Sequence, residues 1–324
     1  PGRGQELAGR GVLGVDSHLD GMTVDAHVVL AERQRLPAGN PQLQLDEVQT
    51  GDQLGGWVLD LQARYPWLNP QGLAGAAFGE ANEGWFDAAT LHGTFRREAK
   101  TAGARFVDGA VVGIDRDANR LTAVSLADGR RIVCGAIVNA AGTGAGKVAA
   151  LAGVPLPVEP RKRSVFVLHL RESLTGFPLI ADTSGVWIRP EGQFYIAGWT
   201  PAEADDRTAD ADDFEVDHQI FEDTLWPALA HRLPAFESVK VVRSWVGHYD
   251  YNTLDQNGII GRHPEISNLY FANGFSGHGI QQSPAVGRAV AELIADGRYT
   301  TIDLGRLGYQ RIADNAPLTE TNVL

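Results

Sequence analysis

The stretch that decides the fold lies near the end of the chain and reads Asn268-Leu269-Tyr270-Phe271-Ala272-Asn273-Gly274-Phe275-Ser276-Gly277-His278-Gly279-Ile280-Gln281-Gln282-Ser283-Pro284. Its opening apolar run predicts a buried strand, and three glycines follow the strand. A helix is then predicted, with Ser283 as its N-cap, Pro284 in its first position and Gly297 just past its end. A strand, a glycine loop and a helix N-terminus let backbone N–H groups approach an electron-rich ligand. An ordinary strand-to-helix turn is the alternative, because isolated glycine motifs match by chance.

The composition indicates a soluble globular protein that binds a small molecule rather than nucleic acid. Acidic residues outnumber basic residues by 40 to 28, which gives a formal net charge of −12. Nucleic-acid partners are disfavoured because phosphate binding needs a basic surface. Cys134 is the one cysteine of the sequence, which excludes an intrachain disulfide and a cysteine-based metal site. No apolar run reaches membrane-spanning length and no signal peptide is recognisable, so we expect a cytoplasmic protein. The sequence does not predict the oligomeric state.

The residue types in the glycine loop add information beyond their spacing. Gly-Phe-Ser-Gly-His-Gly before a Ser-Pro helix resembles the C-terminal flavin-contacting segment of the FAD-dependent amine and amino-acid oxidoreductases, the family of D-amino-acid oxidase, glycine oxidase and sarcosine oxidase. The resemblance implies FAD as the cofactor, with this loop at the pyrimidine edge of the flavin ring. A helix dipole aimed at that edge would favour the negative charge of reduced flavin. The residues implied as FAD contacts are Gly274, Ser276, Gly277, His278, Gly279, Ile280 and Gln281.

A second landmark is the sequence Glu83-Gly84-Trp85-Phe86-Asp87. Asp87 is a good N-cap for a helix predicted over residues 88–102, with Leu91 and Phe95 on one face. A capped surface helix is a sufficient explanation, and the cap is expected in either case. Gly-Trp-Phe-Asp also resembles the same family, where it precedes the helix that leads back into the FAD domain.

Three strands are predicted to form a meander over residues 105–115, 120–127 and 131–141. The resemblance places this meander over the adenine end of FAD. It matches Val111 with a position whose backbone contacts adenine. A buried strand valine needs no such role, so the sequence leaves both interpretations open.

A run of small residues permits three interpretations; it reads Val138-Asn139-Ala140-Ala141-Gly142-Thr143-Gly144-Ala145-Gly146-Lys147. A phosphate-binding P-loop fails, because Ala141 stands where its first glycine belongs and Val148 replaces the hydroxyl that binds magnesium. A Rossmann loop fails because its third glycine falls one residue early. The better match is the family's second FAD contact, a buried strand that ends in Asn-Ala-Ala-Gly. This match implies that Ala140, Ala141 and Gly142 approach the ribose and pyrophosphate.

The middle of the chain is predicted to form an antiparallel sheet that roofs the flavin. Residues 154–160 have the composition of an interdomain linker, and strands are predicted over residues 164–170 and 179–199. The basic run Arg161-Lys162-Arg163 is interpreted as a solvated strand start. Arg189 ends a strand near the position where related enzymes line the substrate cavity. It is either a partner for a substrate carboxylate or a surface arginine.

Five aspartates are clustered within residues 205–213. The order required for a calcium-binding EF-hand fails, because the cluster has no central glycine and no closing glutamate. A solvated acidic loop is therefore expected, and no metal site is predicted. A helix over residues 214–232 follows, and Pro227 is expected to kink it.

A dense polar and aromatic run over residues 242–261 indicates a site, although a polar connecting loop is the alternative. We assign His248, Tyr249 and Tyr251 to the substrate pocket and group them with Arg189 as candidate catalytic residues. Asn-Thr-Leu-Asp, which starts at residue 252, resembles the family's Asn-Thr-Pro-Asp at the flavin. In monomeric sarcosine oxidases a cysteine nearby bonds to the flavin; no cysteine stands near this run, so non-covalent FAD is expected. Gln281 stands where those enzymes have the lysine that helps to hold the substrate carboxylate.

The family opens with a βαβ unit that carries Gly-x-Gly-x-x-Gly, and this sequence has no match to it. We therefore expect a fragment or truncated gene product of the α/β (α+β mixed) class. It would contain a Rossmann-like FAD/NAD(P)-binding domain without its first βαβ unit and an antiparallel-sheet substrate domain. The expected division is a residual N-terminal segment (1–80), a discontinuous FAD-binding domain (81–153 and 240–300), a substrate or cap domain (154–239) and a C-terminal tail (301–324).

The function expected from the resemblance is oxidation of a C–N bond in a small amine or N-substituted amino acid, by hydride transfer to FAD. The alternative is a non-catalytic flavoprotein-like scaffold or assembly factor, or a truncated inactive remnant. Gly-Trp-Phe-Asp and the glycine loop also resemble a branch related to a mitochondrial respiratory-complex assembly factor. A protein of that kind could keep the fold, and even the flavin, while acting through protein contacts.

Overall fold

A computed structural model of the protein describes residues 27–32, 61–78 and 84–320. Its strands are β1 (His27–Glu32), β2 (Leu73–Phe78), β3 (Val111–Asp117), β4 (Arg120–Leu126), β5 (Arg131–Val133), β6 (Ile137–Asn139), β7 (Val158–His169), β8 (Leu179–Ala181), β9 (Val186–Glu191), β10 (Phe194–Trp199), β11 (Lys240–Asn252), β12 (Ile259–Arg262) and β13 (Leu269–Asn273). Its helices are α1 (Leu61–Arg64), α2 (Ala88–Thr101), α3 (Ala145–Leu151), α4 (His218–Ile220), α5 (Trp226–Arg232), α6 (Gly279–Asp296) and α7 (Gln310–Ala313). These elements confirm the predicted mixed α/β class.

The largest sheet has seven strands in the order β11-β7-β10-β9-β8-β1-β2, and only its β1–β8 pair is parallel. Side chains alternate between its two faces. One face packs residues such as Phe166 and Ile188 against the helical segment that contains Leu225 and Leu229. We call the opposite face the open face. β1 and β2 come from the segment predicted as an N-terminal remnant, so that segment contributes to this sheet; residues 1–26 and 33–60 lie outside the described residues.

The second sheet, in the order β12-β13-β6, contains both predicted FAD-binding segments at strand ends. Here the structure corrects the third meander strand, which was expected to run over residues 131–141. The chain leaves the meander β3-β4-β5 after β5, and β6 pairs in parallel with β13 instead. Asn268 joins the second sheet to the meander. Its side chain accepts a hydrogen bond from the Leu121 N–H at 2.8 Å and donates to the Leu121 and Gly135 carbonyls.

The helix after the glycine loop starts earlier than predicted. α6 begins at Gly279 with His278 as its N-cap, so Pro284 lies inside the helix. The Ser283 hydroxyl donates a hydrogen bond to the Ile280 carbonyl at 2.8 Å. That carbonyl is the acceptor which the missing N–H of Pro284 would have used, so the proline leaves no backbone acceptor unpaired. The predicted end is confirmed, since Gly297 caps the helix with a left-handed φ of 71°.

The helix expected over residues 214–232 begins four residues later, at His218, and its helical run continues to Arg232. Asp217 caps α4, a π-helical turn spans Phe221–Leu225, and α5 then carries Pro227 in its first turn. A proline is tolerated in a first turn because no intrahelical donor is needed there. Pro227 therefore lies just after a π-helical turn of the same helical run, and the expected kink stays a prediction.

The C-terminal segment is bound into the FAD-binding part of the fold through a buried ion pair. Arg311 on α7 donates to both Asp255 oxygens, at 2.7 and 3.1 Å. Asp255 also accepts the Leu318 N–H at 2.9 Å and a hydrogen bond from the Asn252 side chain at 2.6 Å. The side chains of Arg311 and Asp255 are 7% and 0% exposed. Residues of the predicted tail thus hold the Asn-Thr-Leu-Asp segment in place.

We predict that Arg311→Met lowers the free energy of unfolding by about 3 to 5 kcal/mol, because it leaves a buried carboxylate without its cation. Urea denaturation of both proteins measures the difference. Arg306→Met is the matched control, since Arg306 is exposed in the preceding 3₁₀ turn. A loss for Arg311→Met no greater than that of the control would contradict the prediction.

Candidate functional site

The glycine loop turns back on itself through left-handed backbone at three positions. Gly274, Ser276 and Gly277 have φ values of 72°, 50° and 98°. Ser276 adopts this conformation without being a glycine, and it is fully buried. Its hydroxyl accepts a hydrogen bond from the Asn252 N–H at 3.1 Å, which offsets the cost of that backbone conformation.

Asp250 at the end of β11 is the main anchor of this loop. Its carboxylate accepts the Gly274 N–H at 2.7 Å and also the Phe275 N–H. Its own carbonyl accepts the Ser276 N–H at 3.1 Å. Burial raises the pKa of the Asp250 carboxyl, and the amide hydrogen bonds partly oppose that rise. The sequence prediction missed Asp250, which stands between two selected tyrosines; an acid within a dense aromatic run was the available signal.

The start of α6 offers free donors to a ligand. The N–H groups of Gly279, Ile280 and Gln281 lie in the first turn, where helix geometry provides no intrahelical acceptor. No acidic residue lies in that turn, and the His278 side chain makes no capping hydrogen bond. The Ile280 side chain is 41% exposed. These features fit the electron-rich edge of a flavin, since the positive end of an 18-residue helix is not neutralised by a carboxylate.

The second predicted FAD segment ends β6 beside this loop. Asn139 is buried, and its side chain accepts the Ala141 N–H at 3.2 Å and donates to the Ala145 carbonyl at 3.0 Å. The Asn273 side chain, at the end of β13, donates to the Asn139 carbonyl at 2.9 Å. Ala140 and Ala141 are exposed, and Gly142 has a φ of 53°. Their small side chains leave the backbone open to a ligand, as a bound ribose or pyrophosphate requires.

The structure thus brings the two predicted FAD segments together at the carboxyl ends of the parallel strands β6 and β13. Ligands of open α/β sheets bind at such ends. Val111 lies elsewhere, half-buried at the start of β3 in the meander. No contact places Val111 with the other segments, so its adenine contact stays a prediction.

A cavity of about 1050 Å³ lies between the open face of the large sheet and the start of α2. Trp85, Phe86 and Asp87 line it on one side, and the strands β7, β9, β10 and β11 line it on the other. Asp87 caps α2 by accepting the Thr90 N–H, which confirms the predicted cap. The predicted apolar face of α2 is not buried, and Phe95 is 46% exposed.

Arg189 is the predicted catalytic residue that lines this cavity. Its guanidinium pairs with the Glu191 carboxylate, donates to the Pro190 carbonyl at 3.1 Å and lies 5.8 Å from the centre of the Trp85 ring. The Arg189 side chain is 17% exposed, whereas that of Glu191 is 52% exposed. Arg189 is therefore held at the cavity wall, and its carboxylate partner has room to move into solvent.

The other three predicted catalytic residues do not line the cavity. His248 lies on the face opposite to Arg189, because side chains alternate along β11. Its ring stacks on Phe214 with 4.6 Å between centres, and its Nε2 lies 2.8 Å from the Asp213 carbonyl. Tyr249 and Tyr251 share the open face with Arg189 but lie beyond the cavity. The role of these three residues in a substrate pocket stays a prediction.

The two tyrosines belong to a buried ionic cluster that corrects the expectation of a solvated basic run at Arg161 and Arg163 and that of a solvated acidic loop at Asp206 alone. Arg163 and Arg161 lie 5.0 and 4.8 Å from the ring centres of Tyr249 and Tyr251. Arg163 donates two hydrogen bonds to Asp206, at 2.8 and 2.6 Å. The basic run is therefore not solvated, since both arginine side chains are at most 9% exposed, and Asp206 of the acidic loop is 7% exposed. Alternation along β7 turns both arginines to one face, where the loop covers them.

The described ranges provide two further observations about partners. No helix within them combines the length and the apolar content that a membrane span needs. No group of three or more His, Cys, Asp or Glu side chains in the same ranges is arranged to hold a metal ion.

Comparison with known proteins identifies the family. Residues 18–293 match the family model DAO, described as FAD dependent oxidoreductase. The chain therefore belongs to the DAO family of FAD-dependent oxidoreductases, and FAD is the cofactor of that family. The resemblance drawn from the glycine loop is thereby confirmed.

Individual relatives agree with this assignment. The chain is 43% identical over 296 residues to FAD-dependent oxidoreductase domain-containing protein 1 of Xenopus laevis, a match that covers 82% of this chain and 59% of that protein. It is 27% identical over 252 residues to mitochondrial sarcosine dehydrogenase of Mus musculus, covering 74% of this chain and 27% of that protein. L-proline dehydrogenase from P. horikoshii shares the fold, with a TM-score of 0.75 at 23% identity over 90% of this chain and 77% of that one. The chain thus spans about three fifths of the length of its Xenopus relative.

We predict that Asp250→Ala lowers FAD affinity by a factor of at least ten, because the Gly274 and Phe275 amides lose their acceptor, at a cost of about 1 to 3 kcal/mol each. Fluorescence titration with FAD measures the affinity. In the absence of FAD, amide hydrogen exchange at Gly274–Ser276 should also be faster in Asp250→Ala than in the unsubstituted chain. Asp250→Asn keeps one acceptor oxygen and should lose less FAD affinity than Asp250→Ala. Asp212→Ala, at an exposed aspartate, is the control. Unchanged exchange in Asp250→Ala would show that the carboxylate does not hold the loop.

Proposed function

We propose that this FAD-dependent oxidoreductase oxidises a C–N bond in a small amine or N-substituted amino acid. The observation that carries the proposal is Arg189, a guanidinium held at the wall of a largely apolar cavity on the open face. The relationship to sarcosine dehydrogenase, a protein named for an N-substituted amino acid, supports the same substrate class. When bound, FAD supplies the acceptor for the hydride.

The residues of the chain would contribute binding, orientation and charge rather than a nucleophile. The free amides at the start of α6 favour negative charge at the flavin edge, and Asp250 keeps them in position. Gly274, Ser276 and Gly277 shape that loop, and Ala140 to Gly142 leave space for the ribose and pyrophosphate. Trp85 and its apolar neighbours provide apolar surface for the body of the substrate. Arg189 binds the substrate carboxylate once Glu191 moves aside.

Anaerobic flavin bleaching tests this proposal directly. The chain with bound FAD is mixed with a panel of amines, amino acids and N-methyl amino acids. The measurement follows the absorbance at about 450 nm, where oxidised flavin cofactors absorb. Bleaching by members of the panel supports C–N oxidation, and their identity gives the substrate. If none of these compounds reduces the bound flavin, the proposal is wrong.

We predict that Arg189→Met raises KM for an amino-acid substrate roughly tenfold to hundredfold, because a hydrogen bond to a charged group contributes about 1.5 to 3 kcal/mol. FAD binding should not change, since Arg189 lies on the large sheet and away from the glycine loop. Steady-state kinetics and FAD titration measure the two effects. Arg171→Met, at an exposed arginine beyond β7, is the control. An unchanged KM would remove Arg189 from the substrate site.

A scaffold function is the second candidate, and one feature favours it. Glu191 already neutralises Arg189, and Gln281 offers no charge at the start of α6. A protein that binds FAD without turning over a substrate does not need Arg189 to be free of its carboxylate partner. The bleaching experiment distinguishes the two functions, since a scaffold retains oxidised flavin with every amine.

A further inference from the structure

One row of side chains crosses the floor of the cavity over four strands. The residue pairs Arg189–Ile196, Ile196–Val167 and Val167–Arg243 are cross-strand neighbours in consecutive strand pairs. Cross-strand neighbours point to the same face of a sheet. All four residues line the cavity. The row therefore has an arginine at each end and an apolar middle.

The two arginines differ in their partners. Arg189 is paired with Glu191, whereas Arg243 is exposed and its guanidinium makes no ion pair or hydrogen bond with any residue of the described ranges. Among the described residues that line the cavity, the one other carboxylate is that of Asp87, which is engaged in capping α2. Arg243 is thus a cation at the cavity wall without a carboxylate partner there. The sequence prediction did not select it.

The spacing of the row gives the size of the molecule that would use both ends. Neighbouring strands lie about 4.8 Å apart, so the Cα atoms of Arg189 and Arg243, three strands apart, are roughly 14 Å from each other. Both side chains are long enough to reach inward by several ångströms. Two anionic groups about 9 to 12 Å apart, the span of a chain of eight to ten carbons, would meet both guanidiniums.

We propose that Arg243 binds a second, remote anionic group of the substrate, so that the cavity takes an amino acid with an extended apolar body and an acidic group at its far end. This inference rests on the proposed function, in which Arg189 binds the carboxylate beside the oxidised C–N bond. Val167 and Ile196 contact the apolar body between the two ends. A substrate of glycine or sarcosine size would leave the Arg243 end of the cavity unused.

The test is a chain-length series of dicarboxylates, measured by isothermal titration calorimetry on the chain supplemented with FAD. Succinate, suberate and sebacate are the probes, and octanoate is the matched monoacid. Suberate or sebacate should bind at least about tenfold more tightly than succinate and octanoate, since one further hydrogen bond to a charged group forms. Arg243→Gln should abolish this advantage and leave octanoate binding unchanged, while Arg243→Lys keeps part of it. Arg171→Gln is the charge-matched control.

Glu191→Gln adds an independent arm, because it releases Arg189 and should tighten suberate binding further. Equal binding of all four probes, no binding of any probe, or an advantage that survives Arg243→Gln would overturn the inference. The outcome is separate from that of the proposed function, which flavin bleaching decides. Calorimetry reports occupancy of the cavity even if no amine reduces the flavin.

Discussion

The hydrogen bonds between the end of β11 and the glycine loop are the constraint on which the site depends. β11 has thirteen residues and belongs to the large sheet along its whole length. Its last residues, Asp250 and Asn252, bind the loop through Gly274 and Ser276. One strand therefore joins the sheet that lines the cavity to the loop that begins α6. A shift of the large sheet would move the free amides of α6 with it.

A buried ion pair supports this junction from the other side. Asp255 lies just beyond β11 and is bound by Arg311 near the C-terminal end of the described residues. Burying two charges is costly unless the geometry and the remaining hydrogen bonds are good. Here the Leu318 N–H and the Asn252 side chain satisfy further acceptor positions of the carboxylate. The same aspartate therefore fixes the C-terminal segment and the end of β11.

Polar residues on the open face fall into two groups with different character. Near the cavity, Arg189 and Arg243 flank an apolar floor and face open space. Farther along the same face, Arg161 and Arg163 are covered, and Asp206 and the tyrosine rings surround them. Covered guanidiniums of this kind fix local structure, because moving them would break several contacts at once. Arg243, which has no such partners among the described residues, is the arginine of this face that is free to meet a ligand.

The sequence by itself determined the local features, because each follows from residues that are neighbours in the chain. Asp87 as a helix cap, Gly297 as a helix end and the strand before the glycine loop all follow from short-range geometry. The residue types of the glycine loop also determined the family and its cofactor, since a loop that contacts a flavin with its backbone restricts which side chains it tolerates.

Only the tertiary structure decided which polar groups meet. A basic run and an acidic loop look solvated in sequence, yet Arg163 and Asp206 bury each other because strand alternation and loop packing bring them together. The roles of Asp250 and Arg243 could not be assigned from the sequence, since the partners of Asp250 and the isolation of the Arg243 side chain depend on residues far away in the chain. The same holds for His248, which is adjacent to Tyr249 in the sequence but points to the opposite face of the sheet.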